Sequence, residues 1–225
     1  MSAQPKSIAL IADDHSLYRV GLSLMLKDQL GFGEVIEASG FDEALDRLAD
    51  TPQIALALFD LSMPGMGGPQ SLAVVRASYP SVRVAVISGS EERDNVVKAI
   101  AASLHGYIPK SLPEAEIVRA LKDVMSGRVF VPTLIASAPE VARVKTATGS
   151  DAGLPVRVPA TLDGLTPRQH DVLTGIVRGL ANKEIARELN IAEGTVKIHL
   201  AALFSHFDVR NRTELATRTQ RLVGG

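Results

Sequence analysis

Residues 54–66 read IALALFDLSMPGM, and their reading decides the fold. Six consecutive apolar residues run into Asp60, and Pro64-Gly65 follow after three residues. A strand apolar at every position is covered on both faces, as in a parallel sheet flanked by helices. IALIA at 8–12 and VAVIS at 84–88 repeat the pattern, ending at Asp13-Asp14 and at Ser88. With two less apolar stretches, strands are expected at 8–12, 34–38, 54–59, 83–88 and 107–109. Amphipathic segments at 16–29, 41–50, 68–78, 91–102 and 112–126 alternate with them. Fivefold strand–helix alternation predicts an α/β doubly wound five-stranded parallel sheet, with ligands at the carboxyl ends of its strands.

Working outward, the pattern dissolves after residue 126. The stretch 127–160 is rich in Ala, Pro, Gly, Ser and Thr and reads as a linker, with one helical turn near Thr133–Ser137. Beyond it come helical segments at 167–178, 182–189, 193–207 and 213–222 and no strand, so a small all-α domain is expected over 161–225. Charge divides likewise. Residues 1–126 carry 11 Lys+Arg against 16 Asp+Glu, whereas 161–225 carry 9 against 7. An acidic front joined to a weakly basic back suggests two domains with different partners.

The 225 residues include no cysteine, which excludes a disulfide framework, a thiolate zinc site and a cysteine nucleophile. The opening MSAQPKSIALIADDH has too short an apolar run for a signal peptide, and no stretch approaches membrane-span length. A cytoplasmic protein without a membrane partner is expected.

Polar residues collect at the strand ends: Asp13-Asp14, Asp60, Ser88 and Lys110. Singly, each has a bland explanation as a helix cap or a solvated loop residue. Together they put three carboxylates, a hydroxyl and an ammonium around one crevice. Clustered carboxylates repel unless a cation sits among them, and an all-oxygen set suits Mg²⁺. A phosphoryl group on Asp60 would be neutralised by that metal and by Lys110, with Ser88 donating to one of its oxygens.

This constellation, with FDLSMPGMGG, VISGS and GYIPKS around it, resembles a two-component receiver domain. The resemblance implies strand order 2-1-3-4-5, the order of the receiver that is a standard example of this sheet type. It also implies that a sensor histidine kinase phosphorylates Asp60. Asp14, Asp60 and the Ser62 carbonyl would hold Mg²⁺, with Asp13 behind them. Ser88 would be the hydroxyl switch, Lys110 the phosphate partner, and Tyr107 the aromatic that turns inward on activation.

At the other end, Thr166-Pro167-Arg168-Gln169 is a helix start with a capping box, and Asn190 suits a left-handed helix end. Val196, Leu200, Leu203, Phe204 and Phe207 recur at helical spacing as an inner face, opposite Glu193, Gly194, Lys197, Ile198 and Ala201. A short helix, a tight turn and a second helix with a basic residue near its start follow helix-turn-helix logic. Residues 165–215 resemble the LuxR-type DNA-binding domain, and the whole chain resembles the NarL/FixJ response regulators. The resemblance implies a recognition helix at 193–207, with Lys197, Ile198 and Ala201 facing the major groove of double-stranded DNA. Thr195 and Lys183 would contact phosphates. It further implies a homodimer on promoter half-sites, with RNA polymerase as a further candidate partner.

By the same resemblance Ala201 stands where a second groove-facing lysine or a polar residue is common, and His206 where a lysine is common. Ala181 and Ala192 stand at helix starts where a hydroxyl cap would stabilise by about 1 kcal/mol. Fewer cations release fewer counterions, so modest, dimer-dependent DNA affinity is expected. His199 reads as packed, or as a phosphate contact. Arg210 and Arg212 read equally as phosphate contacts or as solvated. The other histidines lack metal spacing and receive no ligand role. A kinase-controlled transcription factor, not an enzyme, is the leading expectation. A phosphoryl group on Asp60 draws in Ser88 and Tyr107 and shifts the face built by 91–102, Tyr107 and 112–126. The receiver then either stops obstructing the recognition helix or dimerises, since the long linker also permits independent domains. An aspartyl-phosphate phosphohydrolase would need a second aspartate two residues after Asp60, where Ser62 stands. An autoinducer sensor would need an aromatic-lined cavity, against 4% aromatics.

Overall fold

A computed structural model describes residues 7–90, 92–132 and 162–223, with the side chains of 221–223 left aside. The N-terminal domain alternates β1 (Ile8–Ala12), α1 (Ser16–Leu30), β2 (Glu34–Ala38), α2 (Phe41–Asp50), β3 (Ile54–Phe59), α3 (Pro69–Ser78), β4 (Arg83–Ser88), α4 (Arg93–Ala101), β5 (Gly106–Pro109) and α5 (Glu114–Met125). The strands form one sheet in the order β2-β1-β3-β4-β5, and every described pairing between them is parallel. The order reverses between β1 and β3, where right-handed crossovers open a crevice at the carboxyl ends.

Alternation along each strand builds two cores. Leu10, Phe59, Val84 and Val86 point to one face and pack with Phe41, Leu45 and Leu48 of α2, Leu72 and Val75 of α3, and Val96 of α4. Ile11, Leu58, Ala85 and Ile87 point to the other and pack with Leu22 and Leu26 of α1 and Ile117, Leu121 and Val124 of α5. Complete burial of these positions is why the strands read as unbroken apolar runs.

The linker expected from residue 127 does not begin there. Phe130 forms a parallel bridge with Gly106, the Tyr107 amide donates to the Phe130 carbonyl, and the Phe130 amide donates to the His105 carbonyl. Segment 128–131 thus extends the pairing beyond β5. The helical turn expected near Thr133–Ser137 lies outside the described residues.

The C-terminal domain comprises α6 (Pro167–Val177), α7 (Asn182–Leu189), α8 (Glu193–Phe207) and α9 (Arg212–Val223). Its start is set by the capping box: the Gln169 amide donates to Thr166 Oγ1, and the Thr166 amide donates to the Gln169 side chain. Val172, Leu173, Ile176, Ile185, Val196, Leu203, Phe207 and Leu215 form a separate core. At Gly175 a β-carbon would fall 2.8 Å from Ile185 Cγ1, so glycine permits the close approach of α6 to α7. Asn190 closes α7 with φ 53°, as a residue tolerant of the left-handed region can.

Candidate functional site

The carboxyl ends of β1, β3 and β5 deliver the first constellation. Asp13 is fully buried and Asp60 is 1% exposed. The Lys110 ammonium bridges them, 2.6 Å from Asp13 Oδ2 and 3.1 Å from Asp60 Oδ2. Asp60 Oδ1 is buried without a hydrogen-bonding partner. Donor atoms of Asp13, Asp14, His15 and Asp60 lie within 4.8 Å of one another. An orphaned, buried carboxylate oxygen within an oxygen-rich set fits a hard divalent cation, which would satisfy it and relieve the repulsion. Asp60, Ser62 and Lys110 line a cleft of about 880 Å³, together with Tyr18, Leu24, Met25 and Ile117.

Sequence reasoning missed three contributors. His15, given no ligand role, places Nδ1 2.8 Å from Asp14 Oδ1 and 3.2 Å from Asp13 Oδ1; its position directly after the aspartate pair was the available signal. Tyr18 lies under the Lys110 ammonium, 4.7 Å from ring centre to nitrogen. Burial, reinforced by the carboxylates of Asp13 and Asp60, pushes the Tyr18 phenol well above its ordinary value. Arg19 donates to the Asp13 carbonyl at 2.6 Å and pairs with Glu37, securing the loop that carries the aspartates.

Ser88 is fully buried at the end of β4, where its Oγ accepts the Ser90 amide. Tyr107, for which an inward turn on activation was expected, is 1% exposed, and its hydroxyl donates to the Ser90 carbonyl at 2.6 Å. Burial raises its phenol above the ordinary value, opposed by hydrogen bonds to Ser88 and Ser90.

The second constellation departs from expectation. Of the five residues assigned to DNA, Lys183, Lys197 and Ala201 are exposed, and Lys197 pairs with Glu193 at 3.2 Å. Thr195 and Ile198 are buried, at 0% and 4% exposure. Ile198 joins the core cluster of the N-terminal domain with Phe41, Leu45 and Leu72. The face read as solvent-facing is therefore partly covered, because α8 lies against α2 and α3. Around Ile198, Asp42 Oδ2 accepts Arg168 Nε at 2.5 Å, and Asp42 Oδ1 lies 2.9 Å from His199 Nε2. Asp46 Oδ1 accepts the Ala192 amide at 2.9 Å and the Thr195 hydroxyl at 2.5 Å. Burial alone would raise the Asp42 carboxyl, but the hydrogen bonds and charges of His199 and Arg168 outweigh it and hold the carboxyl below its ordinary value. His199 is thus packed, edge-on to Phe41 with ring centres 6.3 Å apart. Arg212 is spent inside its own domain, donating to Asn182 Oδ1 and to the Leu180 carbonyl.

Sequence reasoning had passed over Asp42 and Asp46. Their signal was present: with Asp50 they recur every four residues of α2, a like-charge stripe that disfavours an isolated helix and asks for cationic or hydrogen-donating company.

Comparison with known proteins matches both domains. Residues 9–122 match the response regulator receiver domain, and residues 163–219 match the LuxR family of bacterial regulatory proteins. The chain is 34% identical over 210 residues, 91% of each chain, to the glycerol metabolism activator of Pseudomonas putida. It is 32% identical over 221 residues, 96% of each chain, to the nitrate/nitrite response regulator protein NarL of Escherichia coli. Among solved structures, RcsB of Salmonella enterica serovar Typhimurium, bound to the promoter rprA in the presence of the phosphomimetic BeF3-, aligns with a TM-score of 0.54 at 20% identity. It covers 94% of this chain and 97% of that one, and the likeness shows the fold alone.

Proposed function

The chain belongs to the response regulators that join a receiver domain to a LuxR-type DNA-binding domain, and from that premise we propose that a histidine kinase phosphorylates it on Asp60 to free its recognition helix. The family is one of transcription factors rather than enzymes, regulating transcription by binding DNA within two-component systems. One observation carries the phosphoacceptor assignment: the orphaned Oδ1 of buried Asp60, beside Asp13, Asp14 and Lys110.

Receiver domains bind Mg²⁺ in this acidic pocket. Here Asp14, Asp60 and the Ser62 carbonyl would hold it, with Asp13 behind them and His15 at the rim. When bound, Mg²⁺ supplies positive charge against the carboxylates and the phosphoryl oxygens. Asp60 attacks phosphorus with a carboxylate lone pair as the bond from phosphorus to the kinase imidazole breaks. The leaving nitrogen keeps that electron pair, and the phosphoryl group becomes an acyl phosphate on Asp60. Lys110, already between Asp13 and Asp60, shifts to pair with a phosphoryl oxygen, and the Ser88 hydroxyl donates to another. Leu17 and Leu24, at 84% and 57% exposure, stand beside the cleft and offer the kinase an apolar approach face.

Release of DNA binding is read from the covered recognition helix. Lys197, Ile198 and Ala201 are assigned to the major groove, Thr195 and Lys183 to phosphates, and a homodimer to paired half-sites. With Ile198 and Thr195 held by α2 and α3, the closed chain cannot seat α8 in a groove. The route from Asp60 to α8 is short. Phe59 precedes Asp60 and stacks edge-on with Phe41 at 6.0 Å, and Phe41 meets His199. The loop after Asp60 holds the Phe41 amide through the Pro64 carbonyl, and a β-carbon on Gly67 would lie 3.4 Å from Thr166. Movement of this loop by a phosphoryl group on Asp60 loosens both domains' contact at once.

Incubation with acetyl phosphate and Mg²⁺, followed by intact mass, tests the mechanism. The expected result is one added phosphoryl mass in the wild-type chain and none in Asp60→Ala. Equal labelling of both chains, or labelling of neither, refutes it.

A further inference from the structure

The four groups that grip α2 from the C-terminal domain are all donors. They are a backbone amide at a helix start, a hydroxyl, a guanidinium and an imidazole. This is the chemistry that binds a phosphate. The amide at the start of α7 is satisfied within its own domain, Ala181 donating to the side chain of Glu184 three residues on. The residue three on from Ala192 is Thr195, which cannot reach back in that way. The Ala192 amide is therefore left for an acceptor from outside the domain, and Asp46 provides one. Among the described residues, Arg168 has Asp171, 3.7 Å away, as a carboxylate neighbour within its own domain, and a much closer one in Asp42. Asp42 and Asp46 are one helical turn apart, so their β-carbons are about 5–6 Å from each other, a separation comparable with the step between neighbouring phosphates of one DNA strand.

We propose that Asp42 and Asp46 are phosphate mimics: the sites they fill take two DNA backbone phosphates when the domains part, one on the Ala192 amide and Thr195 hydroxyl, the other on Arg168 and His199. The proposal rests on α8 being the recognition helix and adds Arg168 and His199 to the DNA-binding surface. The receiver then does more than stand in the way. It competes with DNA for the same atoms, so a bound duplex holds the chain open and a closed chain has no donor to offer a duplex there.

The test uses the full chain and a mixed-sequence duplex long enough for two half-sites, with binding read by fluorescence anisotropy across a salt series. Asp42→Asn with Asp46→Asn keeps shape while removing the mimicking charge, and tighter duplex binding than wild type is expected. In that open background, Arg168→Gln is expected to weaken binding and to lower the slope of log K against log salt by about 0.9, one phosphate's counterions. Thr195→Val in the same background weakens binding with little change of slope, because the hydroxyl carries no charge. A thermal melt of each variant establishes that it folds. If Arg168→Gln leaves slope and affinity unchanged there, Arg168 is a latch only and the proposal is overturned. If the doubly substituted chain binds no duplex even at low salt, the assignment of α8 to DNA falls too, and the two failures are told apart.

Discussion

Ile198→Ala isolates what covering the recognition helix is worth. Ile198 lies outside the C-terminal core and is buried instead among side chains of α2 and α3. Its truncation therefore weakens the contact between domains and leaves each domain's own packing in place. Three carbons are removed, each contributing roughly 0.8 kcal/mol when buried. Their sum is an upper bound, since α8 itself shields part of the side chain after opening. A loss of about 2 kcal/mol corresponds to a roughly 30-fold greater population of the open form. The reporter is the Ala192 amide, whose hydrogen is held by Asp46 across the interface and by no intrahelical acceptor. Its exchange with solvent, followed by NMR, tracks domain opening directly. It is expected to accelerate roughly 30-fold in Ile198→Ala, while the amides of Leu203 and Phe207 keep their wild-type rates. Unchanged exchange at Ala192 would refute the claim that Ile198 holds the domains together. Equal acceleration at Leu203 and Phe207 would refute the claim that it stands apart from the C-terminal core.

Three further outcomes are expected. Lys110→Ala leaves Asp13 and Asp60 buried without their cation, a loss of about 3–5 kcal/mol for a broken buried pair; added Mg²⁺ should raise its melting temperature more than that of the wild type. Equal Mg²⁺ shifts would contradict a shared site. Burial, with Arg76 and Arg83 nearby, lowers the His105 imidazole below its ordinary 6.5. The unfolded chain therefore takes up a proton near pH 6.5 that the folded domain refuses. Its stabilising contribution is complete above that pH and is lost as pH falls towards the depressed folded value. Urea midpoints on the two sides of pH 6.5 should differ more in wild type than in His105→Gln. Gly194 faces Ala49, where a β-carbon would lie 3.4 Å from Ala49 Cβ. Gly194→Ala should be accommodated, whereas Gly194→Leu should wedge the domains apart, seen as faster, independent tumbling in NMR relaxation, and stabilise α8 by about 0.5–1 kcal/mol. Single-body tumbling of Gly194→Leu would contradict the close approach.

Much of the molecule was legible in the sequence because its causes are local. Burial on both faces writes itself into IALIA, IALALF and VAVIS as unbroken apolar runs, and a parallel sheet leaves its functional residues at the strand ends. Hence Asp13, Asp60 and Lys110 could be grouped before any coordinates, and the structure brings them within salt-bridge distance. The capping box of α6 and the inner stripe of α8 were legible for the same reason. His15 escaped because metal spacing was sought among histidines, whereas its partners are the two aspartates immediately before it. The end of the N-terminal domain was misjudged because the bridge between Phe130 and Gly106 leaves no periodicity in so short a segment.

The sequence by itself therefore determined the two folds and the grouping of Asp13, Asp14, Asp60 and Lys110 at the strand ends, since helical and strand periods record which face of an element its own domain buries. It could not determine what covers the opposite face of α8. That depended on contacts between residues 126 and 157 positions apart, Asp42 with Arg168 and with His199. Such pairings belong to neither domain's periodicity. An outward Ile198 looks the same whether water, DNA or another domain lies against it, and only the tertiary structure decided that in this chain it is α2 and α3.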